Sequence, residues 1–573
     1  MAVDSVTIAL VGSGGAGVMT AGQMLLDAAA QVGWYGLMSR SSGPQIRGGE
    51  AAALVRLSPK PVEGPGDRFD LIIAFDWQNV ERFAAELPMT AESVIVTDPS
   101  QGDVPAVLAA SGARIIELPI KELAGKIPGG RVNMVGLGAV ASIVGLPRAG
   151  VDAVIDKALG KKGEGAVKAS AAGIDAGAKE VAGWGLGLEL TAPEARTGIR
   201  WNISGNEAAG FGALKAGVKF CAAYPITPAT EILEWLAPNL ARTGGLLVQA
   251  EDELASINMI VGASFGGVPS ITATAGPGLS LMTEALGLAV ASETPVVVVD
   301  VMRGGPSTGI PTKSEQSDLN IAVNGLHGDA PHLVVAPTSI ADCLFTTQWA
   351  VHLAEALQTA CIVLSDQSMG QSRAVVDKPA DQPFKAQRLL ADGLDSGELF
   401  KRYAVTGSGV SPTAIPGMPG GEHTADGLEH SERGLPSSQS SDHHKQLDKR
   451  LRKLVGHDYG IHWADIEGDG DVAVLTWGSA TGPAREAVAR LTAAGHKVRL
   501  VSLRLLSPVK PELVAEALKG VSRVLVVEQT HGAQFHKHIR AHVDLPGTVS
   551  VLSQPGPLPI RARDVQQALA SIL

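Results

Sequence analysis

An arginine in a run of glycines and hydroxyl residues is the part of this sequence best suited to binding a small acid. The run from Arg303 to Thr312 reads Arg-Gly-Gly-Pro-Ser-Thr-Gly-Ile-Pro-Thr and follows four valines at 296–299. Such a β-branched stretch is typical of a buried parallel strand, and open α/β sheets bind ligands beyond the carboxyl ends of their strands. A guanidinium with neighbouring hydroxyls can hold a carboxylate. The alternative is a glycine-rich β–α turn with a solvated arginine.

Two shorter segments upstream also carry unusual chemistry. In Tyr224-Pro225-Ile226-Thr227-Pro228, the two prolines fix φ at both ends, which predicts that Thr227 lies on a stiff turn. The acidic triplet at 251–253, Glu-Asp-Glu, opens an apolar run that is predicted to be a helix. Acidic residues at such a position also complement a helix dipole, so a purely structural role is the alternative.

The three segments, in this order, resemble the α subunit of the 2-oxoacid:ferredoxin oxidoreductases, which cleave a 2-oxoacid beside its carbonyl with thiamine diphosphate. The resemblance implies that the substrate is contacted by Thr227, Arg303, Thr312 and Tyr224. It implies that the cofactor is contacted by Ile226 and by the loop after a predicted strand at 270–273, through Thr274 and Gly276. A simple β–α turn is the alternative for that loop.

The acidic triplet acquires a specific role from the same resemblance. In thiamine enzymes one glutamate hydrogen-bonds to N1′ of the pyrimidine ring, and this family places it nine residues before a Gly-Ala pair. Gly262-Ala263 lies nine residues after Glu253 and eleven after Glu251. We therefore predict that Glu253 is the catalytic acid, with Glu251 as the alternative. One of the two is expected to be buried with a raised pKa.

The N-terminal segment predicts a strand, a glycine turn and a helix. Val6 to Gly17 ends in Gly-Ser-Gly-Gly-Ala-Gly, and the following helix would offer free amides to an anion. The acid that a dinucleotide fold carries after its second strand is missing. Residues 38–49 offer hydroxyls and arginines instead, which suit phosphates. This unit resembles the γ subunit of the same family, which implies coenzyme A contacts at Gly14, Gly15, Ser41, Ser42 and Arg47; a solvated loop is the alternative.

The pattern of strands and helices predicts an α/β protein with three doubly wound domains. Residues 1–186 form the γ-type domain and 187–198 a linker, and 199–376 form a domain like the pyrimidine-binding domain of thiamine enzymes. Periodicity fails over 377–470, which is predicted to be an irregular connecting segment. Residues 471–573 resemble the C-terminal domain of transketolase.

Composition narrows the classes of function. The chain has 573 residues, a net charge of −11 and three cysteines. The negative charge argues against nucleic acid or an anionic membrane as a partner. No apolar run is long enough to span a bilayer and the start lacks a basic signal region, so a cytoplasmic location is expected. The cysteines are too few for an iron–sulfur cluster, and no metal site is predicted on this chain.

The chain lacks a motif that thiamine enzymes need, and this absence predicts a partner subunit. Thiamine enzymes bind the pyrophosphate and Mg²⁺ through Gly-Asp-Gly followed by Asn, but Gly468-Asp469-Gly470 is better interpreted as a turn. We therefore expect a β subunit to supply the pyrophosphate site, Mg²⁺ and a 4Fe-4S cluster. The expected assembly is an (αβ)₂ heterotetramer that passes electrons to ferredoxin. The active site would form across the interface.

The resemblance implies coenzyme A-dependent oxidative decarboxylation of a 2-oxoacid to an acyl-CoA, or the reverse carboxylation. 2-Oxoglutarate is the first substrate choice, with pyruvate or a branched 2-oxoacid as the alternative. Two other classes remain open: a non-catalytic assembly subunit, and a nucleotide-dependent dehydrogenase that uses the glycine turn at 12–17. A flavin spectrum in the purified protein would favour the dehydrogenase.

Overall fold

The structure is a computed structural model that describes residues 2–43, 48–193, 198–310, 313–392, 394 and 399–573. The chain divides into two compact units. The first comprises the residues up to Ser204 with two short later segments, Gln371–Ala380 and Arg561–Arg563, and the second contains the remainder. No helix in the described residues is both long and apolar enough to cross a bilayer.

The strands and helices alternate along much of the chain. The strands are β1 Val6–Ser13, β2 Tyr35–Ser42, β3 Glu50–Ser58, β4 Leu71–Ala74, β5 Val94–Thr97, β6 Arg114–Glu117, β7 Arg200–Ser204, β8 Phe220–Ala223, β9 Leu246–Gln249, β10 Ser270–Thr274, β11 Val296–Met302, β12 Leu333–Val335, β13 Ala360–Asp366, β14 Arg373–Asp377, β15 Ala464–Glu467, β16 Val472–Trp477, β17 Val498–Leu503, β18 Leu505–Ser507, β19 Arg523–Glu528 and β20 Thr548–Ser553. The α-helices are α1 Val18–Gln31, α2 Ala106–Ala109, α3 Ile120–Gly125, α4 Val132–Ile143, α5 Arg148–Leu159, α6 Glu164–Glu180, α7 Gly205–Ala216, α8 Thr230–Arg242, α9 Glu253–Phe265, α10 Gly276–Ala291, α11 Leu319–Asn324, α12 Asp342–Leu357, α13 Gln367–Gln371, α14 Ser440–Val455, α15 Thr481–Ala493, α16 Pro511–Ala517, α17 Gln534–Arg540 and α18 Ala562–Ala570.

The first unit is built on a mixed eight-stranded sheet in the order β6-β5-β4-β1-β3-β2-β14-β7. The half from β6 to β1 is parallel, whereas each pairing from β1 to β7 is antiparallel. Alternate residues of β1 enter two separate apolar clusters: Ile8 and Leu10 one, Ala9 and Val11 the other. Because both faces of this strand are buried, its central residues 8–11 are all apolar.

The boundary between the first two predicted domains differs from the one expected at residue 199. Arg200–Ser204 and Arg373–Asp377, which the prediction assigned to the second domain, pair with each other and extend the first sheet through β2. The two segments lie about 170 residues apart in sequence, so no local pattern reveals that they are neighbours.

The second unit contains two further sheets. The seven-stranded sheet has the order β18-β12-β13-β11-β10-β8-β9 and is parallel except for β18. The five-stranded sheet, β15-β17-β16-β19-β20, is parallel except for β15. Because β15 begins at Ala464, the last sheet starts before the predicted boundary at residue 471.

The segment 377–470 is not irregular throughout, which corrects the prediction. Ser440–Val455 forms α14, whose buried residues include Gln446, Lys449 and Lys453. The two ammonium groups lie 2.6 and 2.9 Å from the carboxylate of Glu293, and all three side chains are buried. Burial lowers the pKa of Lys449 to about 8 although Glu293 opposes that shift. Apolar periodicity misses this helix because charged residues form its buried face.

Replacing Glu293 by glutamine is expected to destabilise the second unit. The change leaves Lys449, Lys453 and Arg402, whose Nη2 donates to the Glu293 carbonyl, as buried cations without a counter-charge. Removing one partner of a buried ion pair costs about 3 kcal/mol or more. The midpoint of thermal unfolding should fall well below that of the control Glu284→Gln, an exposed acid on α10. Equal midpoints would contradict this assignment.

Candidate active site

Four neighbouring parallel strands of the second unit end at one edge of the seven-stranded sheet. In spatial order they are β11, β10, β8 and β9, and their carboxyl ends lead into Arg303, Thr274–Gly278, Tyr224–Pro228 and Glu251–Glu253 respectively. Parallel strands direct their following loops to the same edge. The three segments that the sequence singled out are therefore brought together, along with the loop after β10.

The two candidate acids occupy different environments. Glu253 is the first residue of α9 and is 7% exposed, whereas Glu251 is exposed. Asp252 between them caps the helix, since its Oδ1 accepts a hydrogen bond of 2.6 Å from the Ala255 amide. No described residue donates a hydrogen bond to the Glu253 carboxyl group, which leaves it able to bind a ligand. The structure thus favours Glu253 over Glu251.

The backbone of the first turn of α10 lies against Glu253. A Cβ at Gly278 would lie 2.7 Å from Oε1 of Glu253 and closer still to Oγ1 of Thr274. Gly276 begins α10, and the buried Thr274 ends β10. The missing side chain at Gly278 therefore makes room for the carboxyl group. A buried acid without a protein partner beside a glycine cradle fits the hydrogen-bonding edge of an aminopyrimidine.

Adding a methyl group at Gly278 tests this close approach. Gly278→Ala is expected to displace Glu253 and to lower kcat about 10²-fold, because a displacement of about 1 Å is enough to disturb a reacting geometry. The matched control is Gly287→Ala on the same helix, where a Cβ would meet nothing within 4 Å. Steady-state rates of the assembled enzyme measure the difference. Equal rates for the two variants would show that Glu253 does not need this space.

Thr227 and Arg303 are in direct contact. Nη1 of Arg303 donates a hydrogen bond of 2.8 Å to the backbone carbonyl of Thr227. Nε of Arg303 is buried and has no partner among the described residues. The turn that carries Thr227 is held by Asn206, a buried residue whose Nδ2 donates to the Pro228 carbonyl at 2.8 Å. The protein thus fixes Nη1 of the guanidinium, whereas its other nitrogens have no partner among the described residues and can bind an acid.

The other residues predicted to contact the substrate or the cofactor differ in their exposure and in whether the structure describes them. Tyr224 is 40% exposed and Thr227 is also exposed, so both are accessible. Ile226 contributes its carbonyl to the turn, which accepts from the amides of Ala229 and Thr230 at 2.8 and 3.1 Å. Thr312 lies outside the described residues.

A pair of acidic residues that the sequence analysis did not single out lies beneath this edge. Asp300 ends the pairing of β11 with β10 and is completely buried. The carboxyl group of Asp318 lies against Gly276, where a Cβ would be 2.6 Å from both of its oxygens. Among the described residues, neither carboxyl oxygen of Asp300 nor Oδ2 of Asp318 has a hydrogen-bond partner. The sequence signal that could have revealed these acids is Asp300, an aspartate inside an otherwise apolar strand.

In the first unit, the glycine turn is tied to the start of β3. The Gly14 amide donates to Gly49 at 2.8 Å, and the Gly48 amide donates back to Gly14 at 3.0 Å. Gly15 has φ of 112° and open space around it. Ser41 is buried, the side chain of Ser42 is not described, and Arg47 lies outside the described residues. The predicted coenzyme A contacts therefore stay predictions.

An acid also lies beside this turn. Oδ2 of Asp76, just after β4, accepts from the Ser13 amide and hydroxyl at 3.0 and 2.8 Å. The sequence analysis did not identify Asp76, because the residue lies after a different strand from the one inspected. Its Oδ1 accepts a hydrogen bond of 3.0 Å from the Gln78 amide. Both oxygens of the carboxylate therefore bind protein groups and stabilise the turn.

The Gly468-Asp469-Gly470 segment connects β15 to β16, and Gly468 has φ of 76°. This agrees with its interpretation as a turn. Within the described residues, no group of three or more His, Cys, Asp or Glu side chains is arranged to hold a metal ion.

Three sequence-family models match consecutive parts of the chain. The model described as "Pyruvate ferredoxin/flavodoxin oxidoreductase" matches residues 7–180, and "Pyruvate flavodoxin/ferredoxin oxidoreductase, thiamine diP-bdg" matches 211–449. "Transketolase, C-terminal domain" matches 463–550. The α/β class and the order of the three predicted domains are confirmed.

Individual relatives extend over most of the chain. A 2-oxoglutarate oxidoreductase subunit KorA of Mycobacterium tuberculosis is 31% identical over 92% of this chain and 86% of its own length. A 2-oxoacid:ferredoxin oxidoreductase α subunit of Saccharolobus solfataricus is 32% identical, over 65% of this chain and 61% of the relative. The solved 2-oxoglutarate:ferredoxin oxidoreductase of Magnetococcus marinus is 34% identical, with 99% of each chain covered and a TM-score of 0.89.

The matches to known proteins and the geometry of the sheet edge point to the same protein family. Arg303, Thr227 and Glu253 follow strands at one edge of the domain that matches the thiamine diphosphate-binding model, and Arg303 contacts Thr227. A γ-type domain precedes it in the same chain. The predicted family is confirmed: the chain belongs to the 2-oxoacid:ferredoxin oxidoreductases, as an α subunit of a multi-subunit enzyme.

Proposed function

We propose that this subunit acts in the coenzyme A-dependent oxidative decarboxylation of 2-oxoglutarate to succinyl-CoA, with reduction of ferredoxin, or in the reverse carboxylation. The observation that carries the proposal is the contact of Arg303 with Thr227 at the sheet edge that also holds the buried Glu253. The similar Magnetococcus marinus enzyme was solved with 2-oxoglutarate, coenzyme A and succinyl-CoA bound, which supports this substrate over pyruvate or a branched 2-oxoacid.

Each residue has a distinct task in this proposal. Arg303 binds a carboxylate of the oxoacid through the guanidinium nitrogens that Thr227 does not occupy. The hydroxyl of Thr227 and the exposed Tyr224 orient the substrate beside it, and Thr312 is assigned to the same task from the sequence. Fixing the carboxylate restricts the oxo carbon to a small region, which raises the rate of attack on it.

Glu253 handles a proton at the pyrimidine edge of the cofactor. Thiamine diphosphate, when bound, supplies the carbon nucleophile and accepts the electrons that decarboxylation leaves. Glu253 holds a proton at N1′ from the first turn of α9, while Thr274, Gly276 and Ile226 shape the surface on which the ring lies. The buried position of Glu253 keeps water from competing for this hydrogen bond.

A partner must complete the site. We assign the pyrophosphate site, Mg²⁺ and a 4Fe-4S cluster to a β subunit, in an (αβ)₂ heterotetramer that donates electrons to ferredoxin. Helices α9 and α10, whose first turns meet at Glu253 and Gly278, expose three large apolar side chains: Leu254, Met259 and Leu281. Exposed apolar surface next to an incomplete active site suits a protein interface.

Coenzyme A is assigned to the first unit. The free amides at the start of α1 and the open space at Gly15 suit a phosphate, and Gly14, Ser41, Ser42 and Arg47 are assigned to the same ligand from the sequence. The negative charge of Asp76 weakens the positive potential of this turn, so Arg47 is expected to provide most of the attraction for a phosphate.

Co-expression with a β subunit of this enzyme family tests the proposal. The purified complex should reduce a ferredoxin with 2-oxoglutarate and coenzyme A, and more slowly with pyruvate. Each subunit alone should be inactive. A complex that turns over no 2-oxoacid would refute the proposal, and a complex whose rate survives Thr227→Ala and Arg303→Ala would make this chain an assembly subunit.

A further inference from the structure

The carboxyl edge of the five-stranded sheet holds a segment of this same chain. Gln316 is completely buried there. Its backbone amide donates to the Gln529 carbonyl at 2.9 Å, and its Oε1 accepts from the Gln529 amide at 2.8 Å. Its Nε2 donates to the Trp477 carbonyl at 2.9 Å. Because Trp477 ends β16 and Gln529 follows β19, Gln316 occupies the place at which open α/β sheets bind ligands.

A third strand of the same edge contacts the preceding residue. Oε2 of Glu315 accepts from the amide of Gly556, which lies shortly after β20, at 3.3 Å. A Cβ at Gly478, directly after β16, would lie 2.5 Å from Nε2 of Gln316, so the glycine leaves room for this side chain. The strands β16, β19 and β20 are adjacent in the sheet. Three neighbouring carboxyl ends thus bind two consecutive residues.

The bound segment leads directly to the arginine assigned to the substrate. The Ser317 hydroxyl donates to the Arg303 carbonyl at 3.0 Å. The Gly304 amide donates to the Lys313 carbonyl, also at 3.0 Å. These two bonds join the ends of the loop that begins at Arg303. Because Ser317 follows Gln316, the sheet that fixes Gln316 also fixes the backbone of Arg303.

A second glutamine of the C-terminal domain holds Ser317 itself. Nε2 of Gln534 donates to the Ser317 carbonyl at 2.9 Å, and Oε1 of Gln534 accepts from the Asn320 amide at 2.9 Å. Gln534 is the first residue of α17, and the next two amides of this helix donate to the buried carboxylate of Glu528, each at 2.9 Å. Because Glu528 ends β19, the sheet sets the position of Gln534.

We propose that Gln534 is a positioning residue for the oxoacid. It holds Ser317 and, through this residue, the backbone of Arg303, so that the guanidinium presents one orientation to the substrate carboxylate. A group that is already ordered loses less entropy when it binds, which increases affinity. Gln316 anchors the same segment to the sheet. This inference rests on the proposed function, since it requires an oxoacid at Arg303.

Gln534→Ala in the assembled complex should raise the KM for 2-oxoglutarate about fivefold, the usual effect of losing one hydrogen bond. Gln534 is only half-buried, so the fold should be retained. The KM for coenzyme A should stay at the wild-type value, because that ligand is assigned to the first unit. The matched control is Gln567→Ala, which changes an exposed glutamine on α18. Equal KM values for 2-oxoglutarate in the two variants would overturn the proposal.

Hydrogen–deuterium exchange of the assembled complex gives a readout that needs no turnover. Both Gln534→Ala and Gln316→Ala should speed exchange at the Gly304 amide, since the bond to the Lys313 carbonyl opens more often when the segment is released. Peptides of α9 should exchange at the wild-type rate, which would show that the rest of the domain is intact. Unchanged exchange at Gly304 in Gln534→Ala would overturn the proposal, whatever the behaviour of Gln316→Ala.

A double-mutant cycle with Arg303→Ala tests the link between the two residues. If Gln534 acts through Arg303, Gln534→Ala should lower kcat/KM for 2-oxoglutarate in the wild type and leave it nearly unchanged in Arg303→Ala. Additive losses would overturn the inference and leave the proposed function intact, because Arg303→Ala alone would still be impaired. A wild-type value of kcat/KM in Arg303→Ala would instead reject the proposed function.

Discussion

Glu253→Gln in the assembled enzyme is expected to lower kcat about 10³-fold, within the usual range for removing an acid–base group. The substitution keeps the size of a side chain that is 7% exposed, so the fold should be retained. Glutamine can still donate a hydrogen bond to N1′, but it cannot exchange a proton there. Steady-state turnover at saturating thiamine diphosphate measures the effect.

The neighbouring acid provides a matched control for this variant. Glu251 lies two residues away and is exposed at the end of the same loop. Glu251→Gln should retain kcat within about threefold, as is usual for a surface substitution. If Glu251→Gln were the inactive variant and Glu253→Gln the active one, the assignment of the two acids would be reversed.

Arg303→Ala is expected to lower kcat/KM about 10³-fold, because two hydrogen bonds to a charged group are lost, each worth about 1.5–3 kcal/mol. The Thr227 carbonyl also loses its donor at 2.8 Å, which loosens the turn. Arg303→Lys restores the charge but not the planar fork, so only part of the loss should be recovered. Rates over a range of oxoacid concentrations separate KM from kcat.

An arginine outside the site controls for the loss of charge. Arg242 is exposed in the last turn of α8, in the same unit as Arg303. Arg242→Ala removes the same net charge and should leave kcat/KM close to the wild-type value. Full activity in Arg303→Ala would show that the oxoacid is held elsewhere.

Local sequence predicted which segments lie at the carboxyl edge of the seven-stranded sheet. Three short segments were recognisable: the turn from Tyr224 to Pro228, the acid at the start of α9 and the arginine after β11. Their proximity also followed from the sequence, because consecutive strands of a parallel sheet deliver their loops to one edge. The family spacing already favoured Glu253 over Glu251, and the structure adds that Glu253 is buried, which depends on what packs against the start of α9.

Features that depend on distant partners were not predictable in this way. Lys449 and Lys453 form a buried helix face only because Glu293 lies opposite, about 150 residues earlier in the chain. The strand at 373–377 is defined by its pairing with 200–204. In the sequence Asp318 looks like an ordinary polar residue, and only the structure shows that its carboxyl group lies against Gly276. In each case the decisive interaction joins segments far apart in sequence.

The most direct test of the central claim is the exchange rate of the C2 proton of thiamine diphosphate bound to the complex, followed by NMR after mixing with deuterated water. Glu253 should accelerate this exchange through its hydrogen bond to the ring. We predict a rate in Glu253→Gln that is lower than that of the wild type by about two orders of magnitude or more, with Glu251→Gln unchanged. An undiminished rate in Glu253→Gln would contradict the assignment of this chain as the source of the catalytic acid.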